Sequence, residues 1–544
     1  MLRRIVQIAS LVAFTALLAS AILTSADTGV FEWVLGLDPS VSVLTALSSR
    51  TFVAAFIPAI VLMALGLVVG RGFCGYVCPM GTCVDGIDHV AAGKRSTPTR
   101  WRHAKFGVLG LMLGAGALGI SLVYLASPFS LMTRVLGVLV YPLVTALAEA
   151  GLWALRPIAE MADWNAALFV TVETPSYDTQ MFLLFFVGGL VAVARRAPRF
   201  WCANLCPAGA MLALTSYRPV VRRRVSDACC GCGECEDVCP MGAINLQDQR
   251  MTRHSECILC QTCQTVCPNG AISFLPSPED APHGASVGVL GARRQFVVGG
   301  LAGLGTAAFS LPGIPSPPNA AWLRPPGAVP EADFLARCVR CAACVAVCPH
   351  NALQPLYDGT GASGLFSPGL VPAGGYCDPN CSRCGAVCPT DAIVELAGDE
   401  RLWAKTGTAA IVREDCLAWE NKEKCMVCDE VCPVDAVIFK LEPGHPASVS
   451  VPHVEENKCI GCGYCENACP VKRPAAIRVS PKNAVRLATG SYVQEGRKRG
   501  LDIALDTTRP ADTTAPAYPG AGDPPPANET RAPGFDAPTP GFSP

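Results

Sequence analysis

Six stretches of this chain repeat one arrangement of sulfur. They read CCGCGECEDVCP from Cys229, CILCQTCQTVCP from Cys257, CVRCAACVAVCP from Cys338, CDPNCSRCGAVCP from Cys377, CLAWENKEKCMVCDEVCP from Cys416 and CIGCGYCENACP from Cys459. Each presents three cysteines and then a fourth, after three further residues, that precedes proline. Thiolates at this spacing hold iron–sulfur cubanes, three binding one [4Fe-4S] cluster and the fourth reaching a neighbouring cluster. Six runs predict six such clusters, a series of one-electron carriers rather than a site for one reaction. The expected iron ligands are Cys229, Cys232, Cys235, Cys239, Cys257, Cys260, Cys263 and Cys267 in the first two runs. The next two contribute Cys338, Cys341, Cys344, Cys348, Cys377, Cys381, Cys384 and Cys388. The last two contribute Cys416, Cys425, Cys428, Cys432, Cys459, Cys462, Cys465 and Cys469. Sharing of the fourth ligand assigns Cys267 to the set of Cys229 and Cys239 to the set of Cys257. For the other four runs a sequential pairing and a nested one (first with fourth, second with third) are both compatible with the spacing. The runs from Cys377 and Cys416 are loosened by longer loops without losing the four-ligand count.

Two shorter motifs, FCGYVCPMG with Cys74 and Cys78 and FWCANLCPAG with Cys202 and Cys206, present sulfur differently. A lone buried cysteine pair is ordinary packing. Two copies of Cys-x-x-x-Cys-Pro favour a redox role: their four thiolates suit a metal or cluster, or cycling as dithiols. Cys83 and Cys230 are left over and read as ordinary small side chains. The histidines are His89, His103, His254, His283, His350, His445 and His453, none within an apolar run, so a membrane haem held by paired histidines is not expected. The glycine patterns of dinucleotide and nucleoside-triphosphate sites are missing as well, which favours an electron carrier or quinol-oxidising component over a stand-alone enzyme.

The elements that must position these sulfurs begin with apolar helices. Of the 544 residues 51% are hydrophobic, too many for an ordinary soluble protein. A formal net charge of -1 gives no reason to expect a nucleic-acid partner. Small secreted disulfide scaffolds have irregular cysteine spacing, unlike the periodic, proline-terminated runs here. Residues 5–25, 52–70 and 106–126 are nearly uncharged and of spanning length, and the run 177–194 is shorter but ends in Arg195 and Arg196, a usual membrane-edge anchor. Arg3 and Arg4, the basic loop 71–105 and the arginines after residue 195 place those segments in the cytoplasm. Residues 136–155 are apolar too, but Pro142 and Glu149 lie inside, and a crossing there would put the basic clusters on opposite sides. An interfacial or re-entrant helix on the outer face is expected instead. Both Cys-x-x-x-Cys-Pro motifs then fall where the second and fourth spans meet the cytoplasm.

The expected fold is an α-helical polytopic membrane domain of four spans plus a signal-anchor helix, carrying α+β ferredoxin-like 2[4Fe-4S] modules. A membrane domain over 1–215 is followed by a cytoplasmic two-cluster unit over 226–275 and a linker over 276–292. Next, GARRQFVVGGLAGLGTAAFSLPGIPSPP has the twin arginine and mild apolar run of an export signal, expected as an anchor over 293–316. Such a route carries folded protein, so cubanes assembled in the cytoplasm cross intact, and the residues after about 317 are expected in the periplasm. Modules over 331–398 and 410–480 come next, with short strand-like segments after the runs (AINLQ, AISFL, AIVEL, AVIFK, AIRVS). Residues 491–544, rich in Pro, Ala, Gly and Thr, are expected to be disordered.

With these motifs in place, RGFCGYVCPMGTCVDGID and RFWCANLCPAGAML, followed by a ferredoxin pair, resemble the NapH/MauN family of membrane ferredoxin proteins. The twin-arginine segment with LRPPGAVPEADFLARCVRCAACVAVCP resembles the NapG/MauM family of exported ferredoxin proteins. Together they cover residues 1 to about 480, so the chain resembles a fusion of the two. The resemblance implies a bacterial inner-membrane protein passing electrons from the quinone pool, or a cytoplasmic donor, to a periplasmic redox protein or reductase. Members of the wider family also serve in assembling periplasmic metalloenzymes, so an accessory role in maturation or reductive activation is the second reading. The fused arrangement, the widened run from Cys416 and the extra Cys83 and Cys230 depart from the pattern. No molybdenum-cofactor domain is present and nitrate reduction is not assigned. One difficulty stands: about 30 Å of hydrocarbon separates the two faces, and no cofactor ligand is visible in mid-span.

Overall fold

A computed structural model describes residues 2–24, 29–90, 101–162, 164, 170, 172, 174–195, 197–244, 251–276, 289–310, 322–357, 364–446, 448–471 and 474–505. The uncharged run after Arg4 forms helix α1 (Leu2–Leu23), and helices α2 (Gly29–Gly36) and α3 (Pro39–Ser49) meet at a sharp bend of 89°. Asp38 caps α3 through Ser40 N at 2.8 Å, with Pro39 opening the helix. Among the described residues two helices are long and apolar enough to cross a membrane, Leu2–Leu23 and Pro128–Met161, or three if the bent pair counts as one span.

This differs from the four expected spans. The runs 52–70, 106–126 and 177–194 give the shorter helices α4 (Ile57–Val69), α7 (Ala104–Ala117) and α10 (Gln180–Ala194). Gly70 and Gly119, both at positive φ, turn the chain where α4 and α7 stop. The segment 136–155, expected to lie at the interface, is instead the interior of the 34-residue helix Pro128–Met161, formed by α8 (Pro128–Arg134), a π-helical turn (Val135–Val140) and α9 (Tyr141–Met161). Pro142 does not end it because the π turn just before already departs from the regular i→i−4 ladder.

Short helices carry the two cysteine-proline motifs: α5 (Gly72–Tyr76) and α6 (Pro79–Val90) after α4, and α11 (Phe200–Asn204) and α12 (Pro207–Thr215) after α10. The twin-arginine segment forms α13 (Val289–Ser310), packed lengthwise on α7; residues 311–316 of the expected anchor lie outside the described residues. Glycines let these two backbones touch. A Cβ on Gly299 would sit 2.1 Å from Gly107 O, and one on Gly303 2.2 Å from Leu111 O. That is the small-residue packing of membrane helix pairs.

The cysteine-rich regions build little regular structure. Each holds two-stranded antiparallel ribbons: β1 (Val221–Val225) with β2 (Ile272–Pro276), β3 (Leu353–Pro355) with β4 (Pro368–Leu370), β5 (Thr408–Ile411) with β8 (Ile477–Ser480), and β6 (Val437–Lys440) with β7 (Val451–Val454). AISFL, AVIFK and AIRVS thus supply strands, whereas AINLQ and AIVEL give only the single bridges Ile244–Thr252 and Ala328–Ile393; residues 245–250 lie outside the described residues. Of the residues expected to be disordered, 492–498 are helical instead. Ser491 caps helix α14 (Tyr492–Lys498), and the Glu400 carboxylate accepts from Ser491 Oγ and Tyr492 N, both at 2.5 Å. Contacts divide the chain into Met1–Ala504 and Leu505–Pro544, and residues 506–544 of the expected tail lie outside the described residues.

Candidate metal centres

The cysteine runs fold by the same local device. In four of them the residue two after the first cysteine and the residue one after the second take positive φ: Gly231 and Gly233, Leu259 and Gln261, Arg340 and Ala342, Gly461 and Gly463. Glycine does this freely, while the other four residues carry a cost of about 1–2 kcal/mol each. Left-handed turns aim successive N–H groups into a concavity suited to an anion. Beyond the proline, further amides reach sulfur: Ala243 N donates to Cys239 Sγ, Ala271 N to Cys267 Sγ and Ala436 N to Cys432 Sγ, each at 3.3 Å, and Ile393 N to Cys388 Sγ at 3.5 Å.

Tertiary structure groups the sulfurs. Cys257, Cys260 and Cys263 line a cavity of about 370 Å³ with Cys239. Cys377, Cys381 and Cys384 line one of about 360 Å³ with Cys348. Cys459, Cys462 and Cys465 share about 330 Å³ with Cys432, and Cys416, Cys425 and Cys428 share about 390 Å³ with Cys469. Cys388 lies within electrostatic reach of Cys338, Cys341 and Cys344, as Cys229 and Cys232 do of Cys235. The last four runs therefore exchange their fourth cysteines sequentially, third with fourth and fifth with sixth, and are not nested. Among the described residues no group of three or more Cys, His, Asp or Glu closes on a point small enough for a single ion. Four thiols spread around a larger space, with N–H groups aimed at sulfur, fit a multi-atom cubane better than a lone metal ion. Burial pushes the Cys257 and Cys341 thiols up to about 12. Taking up metal must therefore displace protons from them.

Arginines at a distance in sequence also face these sulfurs. Arg401 Nη2 donates to Cys377 Sγ at 3.0 Å while its Nε donates to Cys381 O at 2.6 Å. Arg223, on β1, reaches Cys235 Sγ at 3.5 Å. Arg134 of α8 donates to Arg340 O at 2.8 Å and lies within electrostatic reach of Cys341 and Cys338. None of these three roles is legible in the sequence, because no short spacing links an arginine to a sulfur it meets only after folding.

The two Cys-x-x-x-Cys-Pro motifs converge, the thiols of Cys74, Cys78, Cys202 and Cys206 lying within electrostatic reach of one another. Their arginines are exchanged: Arg71 Nη2 donates to Cys202 O at 3.3 Å and Arg199 Nη1 donates to Cys74 O at 3.2 Å. Each arginine stands three residues before the first cysteine of its own motif (RGFC and RFWC), a repeat that the spacing of the cysteines alone does not flag. Arg199 also binds Asp85 at 2.5 Å, and Arg71 binds Glu256 at 2.9 Å. Lys105 Nζ meets the same Glu256 at 2.5 Å, so a buried ionic triad fastens the 226–275 unit to the helices. Burial pushes Cys202 up to about 11, with Arg199 pulling the other way. The two leftover cysteines join no set: Cys83 Sγ contacts Met132 Sδ at 4.0 Å, and Cys230 is exposed.

Family models described as "4Fe-4S binding domain" match residues 51–98 together with 179–226, residues 335–354 and residues 451–476, and one described as "4Fe-4S dicluster domain" matches 228–271. The chain is 38% identical over 199 residues to the methylamine utilization ferredoxin-type protein MauM of Paracoccus denitrificans, covering 35% of this chain and 85% of that one. It is 34% identical over 228 residues to the ferredoxin-type protein NapG of Escherichia coli, covering 38% of this chain and 94% of the relative. The ferredoxin-type protein NapF of Escherichia coli matches at 31% over 149 residues, 27% of this chain and 80% of its own length. With cysteine sets built for cubanes and relatives of this kind over about a third of its length, the chain belongs to the MauM/NapG family of ferredoxin-type iron–sulfur electron-transfer proteins.

Proposed function

We propose that this protein conducts electrons across a bacterial inner membrane, uniting a NapH/MauN-like membrane part (1–215), a cytoplasmic two-cluster unit (226–275) and an exported NapG/MauM-like part (331–398 and 410–480). The 24 cysteines of the six runs would hold six [4Fe-4S] clusters, which when bound accept and give up single electrons. The protein's own work is to set the holding sites in file.

The observation that carries this reading is the seating of the two cysteine-rich regions at opposite ends of α1. Near its start Arg3 pairs with Asp85, and Gln7 donates to Gly75 O at 3.0 Å, on the loop against which the 226–275 unit is locked. At its end Ile22 O accepts from Arg383 at 3.1 Å, in the fourth cysteine run. Positive residues assign the first end to the cytoplasm. The exported region also rests on the bent pair and α8: Ser48 Oγ donates to Ala336 O at 2.6 Å and Ser130 Oγ to Val339 O at 2.9 Å. Farther out, Cys377 N donates to Cys462 O at 2.8 Å, and Tyr376 stacks between His350 and Tyr464 with centroids 4.3 and 4.0 Å away, so the two outer modules meet at their ligands. Quinol or a cytoplasmic reductant is the donor in this reading, and a periplasmic redox protein or reductase the acceptor.

The test is anaerobic protein in proteoliposomes given quinol, with reduction of the exported clusters followed by EPR. Reduction within turnover time supports the reading. Clusters that stay oxidised refute quinol as donor, and normal acceptor reduction by pre-matured enzyme in a strain lacking this protein refutes the conductor role in favour of an accessory one.

A further inference from the structure

We propose that Arg134, on the membrane helix α8, tunes the cluster proposed for Cys338, Cys341, Cys344 and Cys388, making it the first exported cluster to be reduced and the last to be reoxidised. The tuning stands on local geometry; its consequence for electron flow rests on the function proposed above.

Arg134 is the single charge in PFSLMTRVLGVLVYPLV (128–144). An ionised side chain in such a segment persists where it faces protein and finds partners. Its Nε and Nη2 both donate to Arg340 O, at 3.1 and 2.8 Å, and Nη2 also reaches Tyr124 O at 3.2 Å and Ser130 Oγ at 3.5 Å. All three acceptors are neutral, and among the described residues no carboxylate pairs with Arg134. The side chain is nevertheless buried, 8% exposed.

The cysteine run is folded to receive it. Arg340 stands between Cys338 and Cys341 at φ +52°, and its carbonyl is the one that Arg134 binds. A Cβ on Gly137 would lie 2.8 Å from Ala346 Cβ, so the π turn after Arg134 brings its glycine where the short helix Ala343–Ala346 rests. The Arg340 guanidinium lies 4.1 Å from the centre of the Tyr124 ring, and that of Arg134 lies 5.5 Å from the centre of the Phe366 ring. Two guanidiniums, one from each region, thus gather beside one sulfur set. Arg134 lies within electrostatic reach of Cys341 and Cys338, and Arg340 of Cys338.

A buried cation among neutral acceptors is costly unless an opposite charge stands near. A cubane on four thiolates is net negative, one unit more so when reduced, so the guanidinium favours the reduced state. Charge and hydrogen bonding around the sulfurs set cluster potentials in this way. Elsewhere in the exported half acids offset the cations. Arg401 shares Cys377 with Asp378, Lys405 near Cys459 also faces Glu456, and Cys425 faces Glu430. Within the Cys338 set, Arg324 is offset by Glu331 at 3.1 Å, and Asp391 near Cys388 is opposed by Arg337. Arg134 remains without such an offset. Burial does not separate the two most enclosed sets: Cys338, Cys341 and Cys344 are 7–9% exposed, and Cys432, Cys459 and Cys465 are 7–8%.

This set is also the one seated on α3 and α8, through Ser48 and Ser130. Electrons that leave the membrane part therefore meet the most oxidising exported cluster first. Its reduction adds one electron, with no bond made or broken.

The experiment is an EPR-monitored redox titration, with soluble mediators and dithionite, of full-length protein purified anaerobically and matched for iron content. Cys388→Ser alters a ligand of this set and marks its signal; Cys381→Ser, Cys425→Ser and Cys462→Ser mark the other three. In the wild type the signal marked by Cys388→Ser should appear at a higher potential than the other three. Arg134→Gln keeps an amide donor and removes the charge. It should lower the equilibrium constant for reduction of this cluster at least about tenfold, a shift of about 59 mV for a one-electron couple. Arg134→Lys keeps the charge without the planar fork and should stay within about threefold of the wild type. A wild type in which another exported signal titrates first overturns the proposed order. An unchanged potential in Arg134→Gln, or an equal fall in Arg134→Lys, overturns the part given to the charge of Arg134. The wild-type order is read with Arg134 in place, so a misfolded Arg134→Gln leaves that test in force. A wild type that shows this order yet is not reduced by quinol in proteoliposomes overturns the donor proposed above and leaves the tuning intact.

Discussion

Replacing Arg401 by methionine should lower the reduction potential of the cluster proposed for Cys377, Cys381, Cys384 and Cys348. Arg401 is 4% exposed, and its Nη2 lies 3.0 Å from Cys377 Sγ. Hydrogen bonds to charged groups contribute about 1.5–3 kcal/mol. A one-electron couple moves 59 mV for each tenfold change in its equilibrium constant, so the whole bond corresponds to about 65–130 mV. The oxidised cluster also accepts this bond, though less strongly because it carries less negative charge. Taking half as differential leaves a fall of about 30–65 mV. Methionine keeps the length and apolar stem but orphans Cys381 O and Asp378 O, so Arg401→Lys is the companion variant, retaining the charge without the planar fork. EPR-monitored redox titration of samples matched for iron content reads the shift. A potential that is unchanged or raised in the methionine variant would refute the argument that this guanidinium stabilises the reduced state.

Four further outcomes are expected. Glu256→Gln leaves Arg71 and Lys105 buried without their carboxylate and should cost about 3–5 kcal/mol; limited proteolysis should release the 226–275 unit at lower temperature, and equal resistance would count against the triad as its fastening. Gly299→Leu drives a side chain into Gly107 O and should part α13 from α7, seen as loss of engineered disulfide cross-linking between the two helices. Ala342→Gly relieves a residue at φ +62° and should stabilise the 331–398 module by up to about 1 kcal/mol in chemical denaturation, with a destabilised variant excluding strain there. In cluster-free protein the Cys341 thiol is held up at about 12 from an ordinary 9.0. Its contribution should be intact below pH 9 and fall away between pH 9 and 12, where the unfolded chain ionises first. A flat denaturation profile across that window would contradict this.

Sequence legibility followed the range of the interactions. The cysteine runs announce themselves because three of a cubane's four thiolates come from one short segment, a requirement written as close spacing even where the run from Cys416 is loosened. Even the strain is local: Gln261 and Ala342 occupy positions that Gly233 and Gly463 fill in the other runs. Membrane helices are harder. Composition marks an apolar run, but whether it becomes a 14-residue helix like α7 or part of a 34-residue one depends on where glycines and a π turn stop or continue the backbone. Composition groups residues 492–498 with the Pro- and Ala-rich sequence that follows them, but they form a helix whose start is held by a carboxylate about ninety positions away, Glu400.

From the amino-acid order alone came the sulfur chemistry of the cysteine runs and the basic loops from which an orientation is expected, both read from residues close together in the chain. Folding alone decided how the last four runs exchange their fourth cysteines, that Arg71 and Arg199 trade motifs, and that α8 touches both Phe73 and Val339. Those contacts join residues tens to hundreds of positions apart, and their geometry exists only once the helices have packed.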